Sequence, residues 1–121
     1  MLIVDDHDLN RRVLVELLHP FGFAVREAAD GAQALEQFER HRPQLILMDL
    51  RMPCLDGYEA MQRIRQCAEG ANVRIVAVTA SAFDDDLPKI RASGANDVLR
   101  KPFRRHELFQ VVENQLHALS T

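Results

Sequence analysis

Three short runs of consecutive apolar residues divide the chain. They occupy residues 2–4, 45–48 and 75–78 and read LIV, LILM and IVAV. Each run is continuously apolar rather than alternating, which is typical of parallel strands that are covered on both faces. Two weaker strand candidates, residues 23–25 and 97–99, are expected nearer the edges of the sheet. The pattern therefore predicts five strands.

Between these runs, hydrophobic residues recur at the three- and four-residue spacing of amphipathic helices. The stripes comprise Leu9, Val13, Leu14, Leu17, Leu18 and Phe21, then Ala34, Leu35 and Phe38, then Met61, Ile64 and Ala68, and finally Leu108, Val111, Val112, Leu116 and Leu119. Strand and helix patterns alternate along the chain. This alternation predicts an α/β fold with a doubly wound parallel sheet and helices on both faces.

Size and charge narrow the class of protein. The 121 residues fit one domain, residues 1–121, and an apolar content of 47% is enough for a core. A net charge of −3 argues against nucleic-acid binding through bulk charge. No apolar run reaches the roughly 18 residues that cross a bilayer. A first strand that starts at Leu2 is expected either for a single-domain protein or for one domain of a longer chain.

Polar residues stand at the ends of the predicted strands. Asp5 and Asp6 follow the first strand, Asp49 the third, Thr79 the fourth and Lys101 the fifth. The ligand sites of doubly wound sheets lie beyond the carboxyl ends of the strands, so these residues are expected to converge. Three carboxylates in one pocket repel each other, and a hard cation such as Mg²⁺ relieves the repulsion. Zinc is disfavoured because no suitable cluster of histidines and cysteines accompanies them.

The other strand-end residues indicate phosphoryl transfer. The ammonium of Lys101 is a compact charge suited to a phosphoryl oxygen, and the Thr79 hydroxyl can donate a hydrogen bond to another. Asp49 is the natural nucleophile, because a carboxylate can carry phosphate as an acyl phosphate. A carboxylate, a divalent cation, a hydroxyl and an ammonium together are the components of a phosphoryl-transfer site.

These motifs, in this order, resemble the receiver domains of the two-component response regulator family. The matching segments are residues 4–6 (VDD), 48–53 (MDLRMP) with 56–57 (DG), 79–80 (TA) and 101–103 (KPF). They extend over nearly the whole chain. Residues 8–14 (DLNRRVL) are similar to the first helices of receivers in hybrid sensor histidine kinases. The resemblance implies the flavodoxin-like strand order 2-1-3-4-5.

The resemblance also implies roles in catalysis. Asp49 would accept a phosphoryl group from a phosphohistidine on a histidine kinase or a histidine phosphotransfer domain. Thr79 and Lys101 would contact that group, and the Lys101–Pro102 peptide bond would be cis. Such a domain catalyses its own phosphorylation and dephosphorylation. A phosphorelay of this kind would be cytoplasmic, or would lie in the cytoplasmic portion of a membrane-anchored hybrid kinase, without direct contact to the membrane or to nucleic acid.

A metal site is the second implication of the resemblance. Asp5, Asp6 and Asp49, with the backbone carbonyl of Arg51, would bind Mg²⁺, for which Mn²⁺ could substitute. One position departs from the family pattern. Many receivers carry Tyr or Phe three residues before the lysine, and here the residue is Val98. A valine is too small and too stiff at χ1 to make the large inward swing of an aromatic ring, so a weaker response of the last strand and helix is expected.

Two other function classes remain open on sequence alone. The segment Asp6-His7-Asp8 resembles the D-x-D start of phosphatases of the haloacid dehalogenase type, which would make Asp6 the nucleophile. No acidic pair follows Lys101, however, and 121 residues leave no room for a cap domain. The other alternative is a receiver-like binding module that is not phosphorylated. Such modules usually lack one of the acids or the lysine, and none is missing here.

Overall fold

The computed structural model describes residues 1–22, 24–50, 57–67, 70–79 and 87–120, and residues 119 and 120 are described by their backbone alone. Five strands and five helices alternate along these ranges. The strands are β1 (Leu2–Val4), β2 (Arg26–Ala28), β3 (Leu45–Asp49), β4 (Arg74–Thr79) and β5 (Asp97–Arg100). The helices are α1 (Asp8–Leu18), α2 (Gly31–His41), α3 (Gly57–Gln66), α4 (Leu87–Ala92) and α5 (Arg105–Ser120), and a 3₁₀ turn, His19–Phe21, follows α1.

The strands form one parallel sheet in the order β2-β1-β3-β4-β5. The predicted fold class and strand order are therefore confirmed. Val4 lies opposite both Ala28 and Met48, so the first three strands reach the same edge together. At that edge Asp49 pairs with Val78, one residue before the end of β4.

Two hydrophobic layers cover the sheet, one on each face. Leu2 and Val4 of β1 pack with residues of α2, α3 and α4, whereas Ile3 packs with residues of α1 and α5. The same alternation runs through β3 and β4, because successive side chains of a strand point to opposite faces. Both faces are apolar, which explains why the central strands have continuous hydrophobic runs.

The prediction for the second strand is wrong in position. The expected apolar segment was residues 23–25, but Ala24 and Val25 precede β2, which comprises Arg26–Ala28; Phe23 lies outside the described residues. β2 is an edge strand that pairs only with β1, and of its three residues only Ala28 is buried. An exposed edge strand needs no apolar run, so hydrophobicity could not locate it.

The stripe predicted for the first helix is only half buried. Leu14 and Leu18 of α1 are in the core, but Leu9 is 75% exposed and Val13 is 47% exposed. The periodicity was therefore correct for the helix but overestimated its buried face. Leu9 and Val13 form a second apolar face of α1 that is exposed to solvent.

Arg65 ties the end of α3 to two loops at the opposite edge of the sheet from the strand-end acids. Its guanidinium donates to the carbonyl oxygens of Gly94 (3.0 and 2.6 Å), Gly70 (2.8 Å) and Val73 (2.5 Å), and to Asn96 Oδ1 (2.7 Å). Gly94 has a φ of +122°, so a side chain there would be strained and would also meet Arg65. One side chain thus satisfies four backbone or amide oxygens.

Replacing Arg65 tests whether these hydrogen bonds stabilise the fold. Arg65→Met should lower the free energy of unfolding by about 2 kcal/mol, because several part-buried oxygens lose their donor. Arg63→Met is the matched control, since Arg63 makes an exposed pair with Glu59 at 2.8 Å on the same helix. Loss of this ion pair should lower the free energy of unfolding by about 0.5 kcal/mol or less. Urea unfolding measures both, and equal losses in the two variants would contradict the role given to Arg65.

Candidate functional site

Four of the predicted site residues that the structure describes lie at the carboxyl edge of the sheet. Asp49 and Thr79 are the last residues of β3 and β4, Asp5 follows β1, and Lys101 follows β5. The ladder continues past the strand ends, because the Lys101 N–H donates to the Thr79 carbonyl at 2.8 Å. Asp5, Asp49 and Thr79 are all more than nine-tenths buried. Buried polar side chains in such number at one edge are unusual for a structural surface.

Lys101 links the two buried carboxylates. Its Nζ lies 3.6 Å from Asp5 Oδ2 and 3.9 Å from Asp49 Oδ2. Both distances allow strong Coulomb attraction but exceed hydrogen-bond length. The ammonium is therefore close enough to offset the charge of both acids without being committed to either one.

Asp6 and His7 lie next to Asp5 and form with it a cluster of possible metal ligands. One ligand atom from each of Asp5, Asp6 and His7 lies within 4.8 Å of the others. His7 Nδ1 is 3.0 Å from Asp6 Oδ1, yet the contact lacks hydrogen-bond alignment. Asp6 Oδ1 is buried and accepts no hydrogen bond within the parts of the chain that the structure describes. A buried carboxylate oxygen that accepts no hydrogen bond and lies near the Asp5 carboxylate fits a hard divalent cation such as Mg²⁺.

Gly57 lets α3 begin against the backbone of the site. A Cβ at this position would lie 2.3 Å from the carbonyl oxygen of Asp49 and 2.7 Å from the Cα of Leu50. The Gly57 N–H donates to the Leu50 carbonyl at 3.3 Å. A residue without a Cβ is required here because the backbones approach so closely.

Several predicted features fall outside the described residues. These are the carbonyl of Arg51, the rest of segment 52–56, and Ala80. The Lys101–Pro102 bond is cis, as the resemblance implied. Val98 is half-buried and packs against the core layer that contains α2, α3 and α4. The weaker response expected from Val98 stays a prediction.

Sequence reasoning assigned no role to Arg11, although the structure connects it to the site. Its guanidinium donates to the carbonyl oxygen of Asp5 at 2.7 Å. The available signal was its place in segment 8–14, which resembled first helices of hybrid-kinase receivers. Burial and the nearby charge of Glu39 raise the pKa of the Cys67 thiol, which disfavours the thiolate form.

Comparison with known proteins identifies the family. Residues 1–113 match the model of the response regulator receiver domain. The chain is 34% identical over 118 residues to the chemotaxis protein CheY of Bacillus subtilis, a match that covers 97% of each. The chain belongs to the response regulator receiver domain family and is a receiver domain of two-component signalling.

Other relatives are receiver domains within sensor kinases. The chain is 37% identical over 112 residues to the sensor histidine kinase RcsC of Salmonella typhi, covering 93% of this chain but only 12% of that protein. The receiver domain of the sensor histidine kinase PA1611 from Pseudomonas aeruginosa was solved with a magnesium ion coordinated in its active-site cleft. It matches with a TM-score of 0.88 and 40% identity over 96% of this chain and 95% of that one.

These matches bear on one of the function classes that the sequence left open. The phosphatase hypothesis, which made Asp6 the nucleophile, gains no support from them. Among the described helices, none is both long and apolar enough to cross a bilayer.

Proposed function

We propose that residues 1–121 act as one phosphoacceptor receiver domain, in which Asp49 takes a phosphoryl group from a phosphohistidine and passes the signal onward. The observation that carries this proposal is the position of Asp49. It is buried at the end of β3, and its carboxylate lies 3.9 Å from the Lys101 ammonium. A buried carboxylate at a sheet edge, with an ammonium nearby to stabilise the incoming negative charge, is suited to accept a phosphoryl group.

In the chemical step only Asp49 forms a covalent bond to the phosphoryl group. A carboxylate oxygen of Asp49 attacks phosphorus, the P–N bond to the imidazole breaks, and its electron pair stays on that nitrogen. Lys101 stabilises the negative charge on the phosphoryl oxygens, and the Thr79 hydroxyl donates a hydrogen bond to one of them. Water later attacks the same phosphorus, which releases phosphate and restores the Asp49 carboxylate.

Asp5, Asp6, Asp49 and the carbonyl of Arg51 are the proposed ligands of Mg²⁺, with Mn²⁺ as a substitute. The ion would neutralise charge on the phosphoryl oxygens during transfer. The unsatisfied Asp6 oxygen supports a cation at this place. The magnesium ion in the cleft of the PA1611 receiver supports its identity.

The surface beside the pocket supports a protein partner. A groove of about 610 Å³ connects the acidic pocket, at Asp5 and Lys101, to the exposed apolar side of α1 at Val13, with Phe103 on its other wall. Leu9, 75% exposed, extends the apolar surface along α1. Exposed apolar side chains next to a reactive site mark an interaction surface. We propose that a histidine kinase or phosphotransfer domain docks there and presents its phosphohistidine to Asp49.

The setting of the domain is proposed from its relatives. The chain spans only 12% of the first sensor kinase that it matches, so it corresponds to one module of such a protein. We propose a cytoplasmic receiver, either free or as part of a hybrid histidine kinase.

Asp49→Asn tests the nucleophile. The amide is nearly isosteric but cannot form the acyl phosphate, so phosphorylation by acetyl phosphate and Mg²⁺ should be lost while the circular dichroism spectrum is kept. Asp97→Asn is the matched control, because Asp97 begins β5 at the other end of the strand from the site. Intact-mass and peptide mapping are the measurements. Label on Asp6 would favour the phosphatase hypothesis, and an unlabelled wild-type chain would favour the binding module.

Asp6→Ala tests the metal. The loss of one carboxylate ligand should weaken Mg²⁺ binding by about tenfold or more, measured by amide chemical-shift titration, and should slow phosphorylation. Without metal the variant should be as stable as the wild type, since the core is hydrophobic and an unsatisfied oxygen is removed. Unchanged Mg²⁺ affinity, or unfolding of the wild type by a chelator, would contradict the assignment.

The double substitution Leu9→Ser and Val13→Ser tests the docking surface. It should lower kcat/KM for a phosphohistidine domain that phosphorylates the wild-type chain by about tenfold, because the partner loses apolar contact. Phosphorylation by acetyl phosphate, which needs no docking, should be unchanged. If the rates with both donors fell together, the defect would lie in the pocket and the docking surface would be wrong.

A further inference from the structure

Arg11 is the side chain that connects the acidic loop to the rest of the fold. It lies in the first half of α1, and its side chain is 14% exposed. One terminal nitrogen donates to the Asp5 carbonyl at 2.7 Å, and the other to Asp8 Oδ1 at 2.5 Å. Its Nε donates to Glu27 Oε1, on β2, at 3.0 Å. A single guanidinium therefore joins the end of β1, the start of α1 and the edge strand.

The carbonyl that Arg11 binds controls the geometry of the pocket. Asp5 is fixed at three further points: its N–H donates to the Ala28 carbonyl at 3.1 Å, its Oδ1 accepts from the His7 N–H at 2.8 Å, and its Oδ2 lies 3.6 Å from Lys101 Nζ. The Asp5 carbonyl belongs to the planar peptide unit that leads into Asp6. Fixing this carbonyl therefore fixes the positions of the Asp6 nitrogen and Cα, from which the Asp6 side chain extends.

Arginine suits this position better than lysine does. A planar guanidinium offers several donors in fixed directions, and so it can serve a carbonyl and two carboxylates at once; an ammonium has no such fork. Burial lowers the pKa of Arg11, but hydrogen bonds to Asp8 and Glu27 outweigh it and raise the pKa overall. The side chain stays charged, and its charge is offset by those two acids rather than by the pocket.

We propose that Arg11 is a positioning residue for the metal pocket: it sets the orientation of Asp5 and Asp6 and thereby the affinity for Mg²⁺. This inference rests on the metal role proposed above. It predicts that removing Arg11 changes the affinity for Mg²⁺ in the direction opposite to the one that charge alone would give. Removing a positive charge near an acidic pocket should tighten cation binding, whereas loss of a positioning contact should weaken it.

Arg11→Met and Arg12→Met separate these effects. Arg12 is the next residue of α1 and is exposed, so both variants change the net charge equally. Arg12→Met should alter the Mg²⁺ dissociation constant by less than about twofold, because an exposed charge is screened. Arg11→Met should raise it by about tenfold, the usual cost of losing an outer contact at a metal site. Arg11→Lys keeps the charge but not the fork, and its affinity should lie between those of Arg11→Met and the wild type.

A metal-free measurement completes the test. In Arg11→Met, the His7 and Asp5 amide hydrogens should exchange faster than in the wild type, because the loop that holds them is released; Arg12→Met should leave both unchanged. If Arg11→Met bound Mg²⁺ as tightly as Arg12→Met, or if Arg11→Lys matched the wild type, the inference would be overturned. A wild-type chain whose amides at Asp5, Asp6 and Asp49 do not respond to Mg²⁺ would instead overturn the metal role itself, and the inference with it.

Discussion

The contact on which the site depends is the approach of one ammonium to two buried carboxylates. Lys101 lies 3.6 Å from Asp5 and 3.9 Å from Asp49. Asp5 follows β1, Asp49 ends β3 and Lys101 follows β5. Buried charges are tolerated only when they are paired, so this contact allows two acids to be held out of water at the sheet edge. The distances leave the ammonium able to turn towards a phosphoryl group when one arrives on Asp49.

The scaffold keeps that contact in place by burying the strands on both faces. Helices α2, α3 and α4 cover one face and α1 and α5 the other, so the strand ends have little freedom to move apart. The functional side chains lie at the last residues of β3 and β4 and directly after β1 and β5, on a rigid base. Gly57 contributes by allowing α3 to start directly against the Asp49 backbone.

Two partly buried arginines bind backbone carbonyl oxygens at opposite ends of the strands. Arg65 binds carbonyl oxygens in the loops that precede β4 and β5, and Arg11 binds the carbonyl that follows β1. Each uses the guanidinium fork to join segments that are distant in sequence. The first of these contacts maintains the fold, and we infer that the second orients a functional loop. The same helix that presents Arg11 inward presents Leu9 outward, so α1 serves both the pocket and the proposed partner.

The sequence by itself determined the central strands and the identity of the strand-end residues, because burial on both faces produces an apolar run that needs no knowledge of partners. The acids, the threonine and the lysine followed from the ends of those runs. Only the tertiary structure decided the position of β2, the exposed face of α1, and the contacts of Arg11 and Arg65. An edge strand has no buried pattern, and a helix stripe does not reveal how much of it a neighbour covers. Arg11 meets Glu27 across 16 positions and Arg65 meets Gly94 across 29, distances over which local periodicity has no influence.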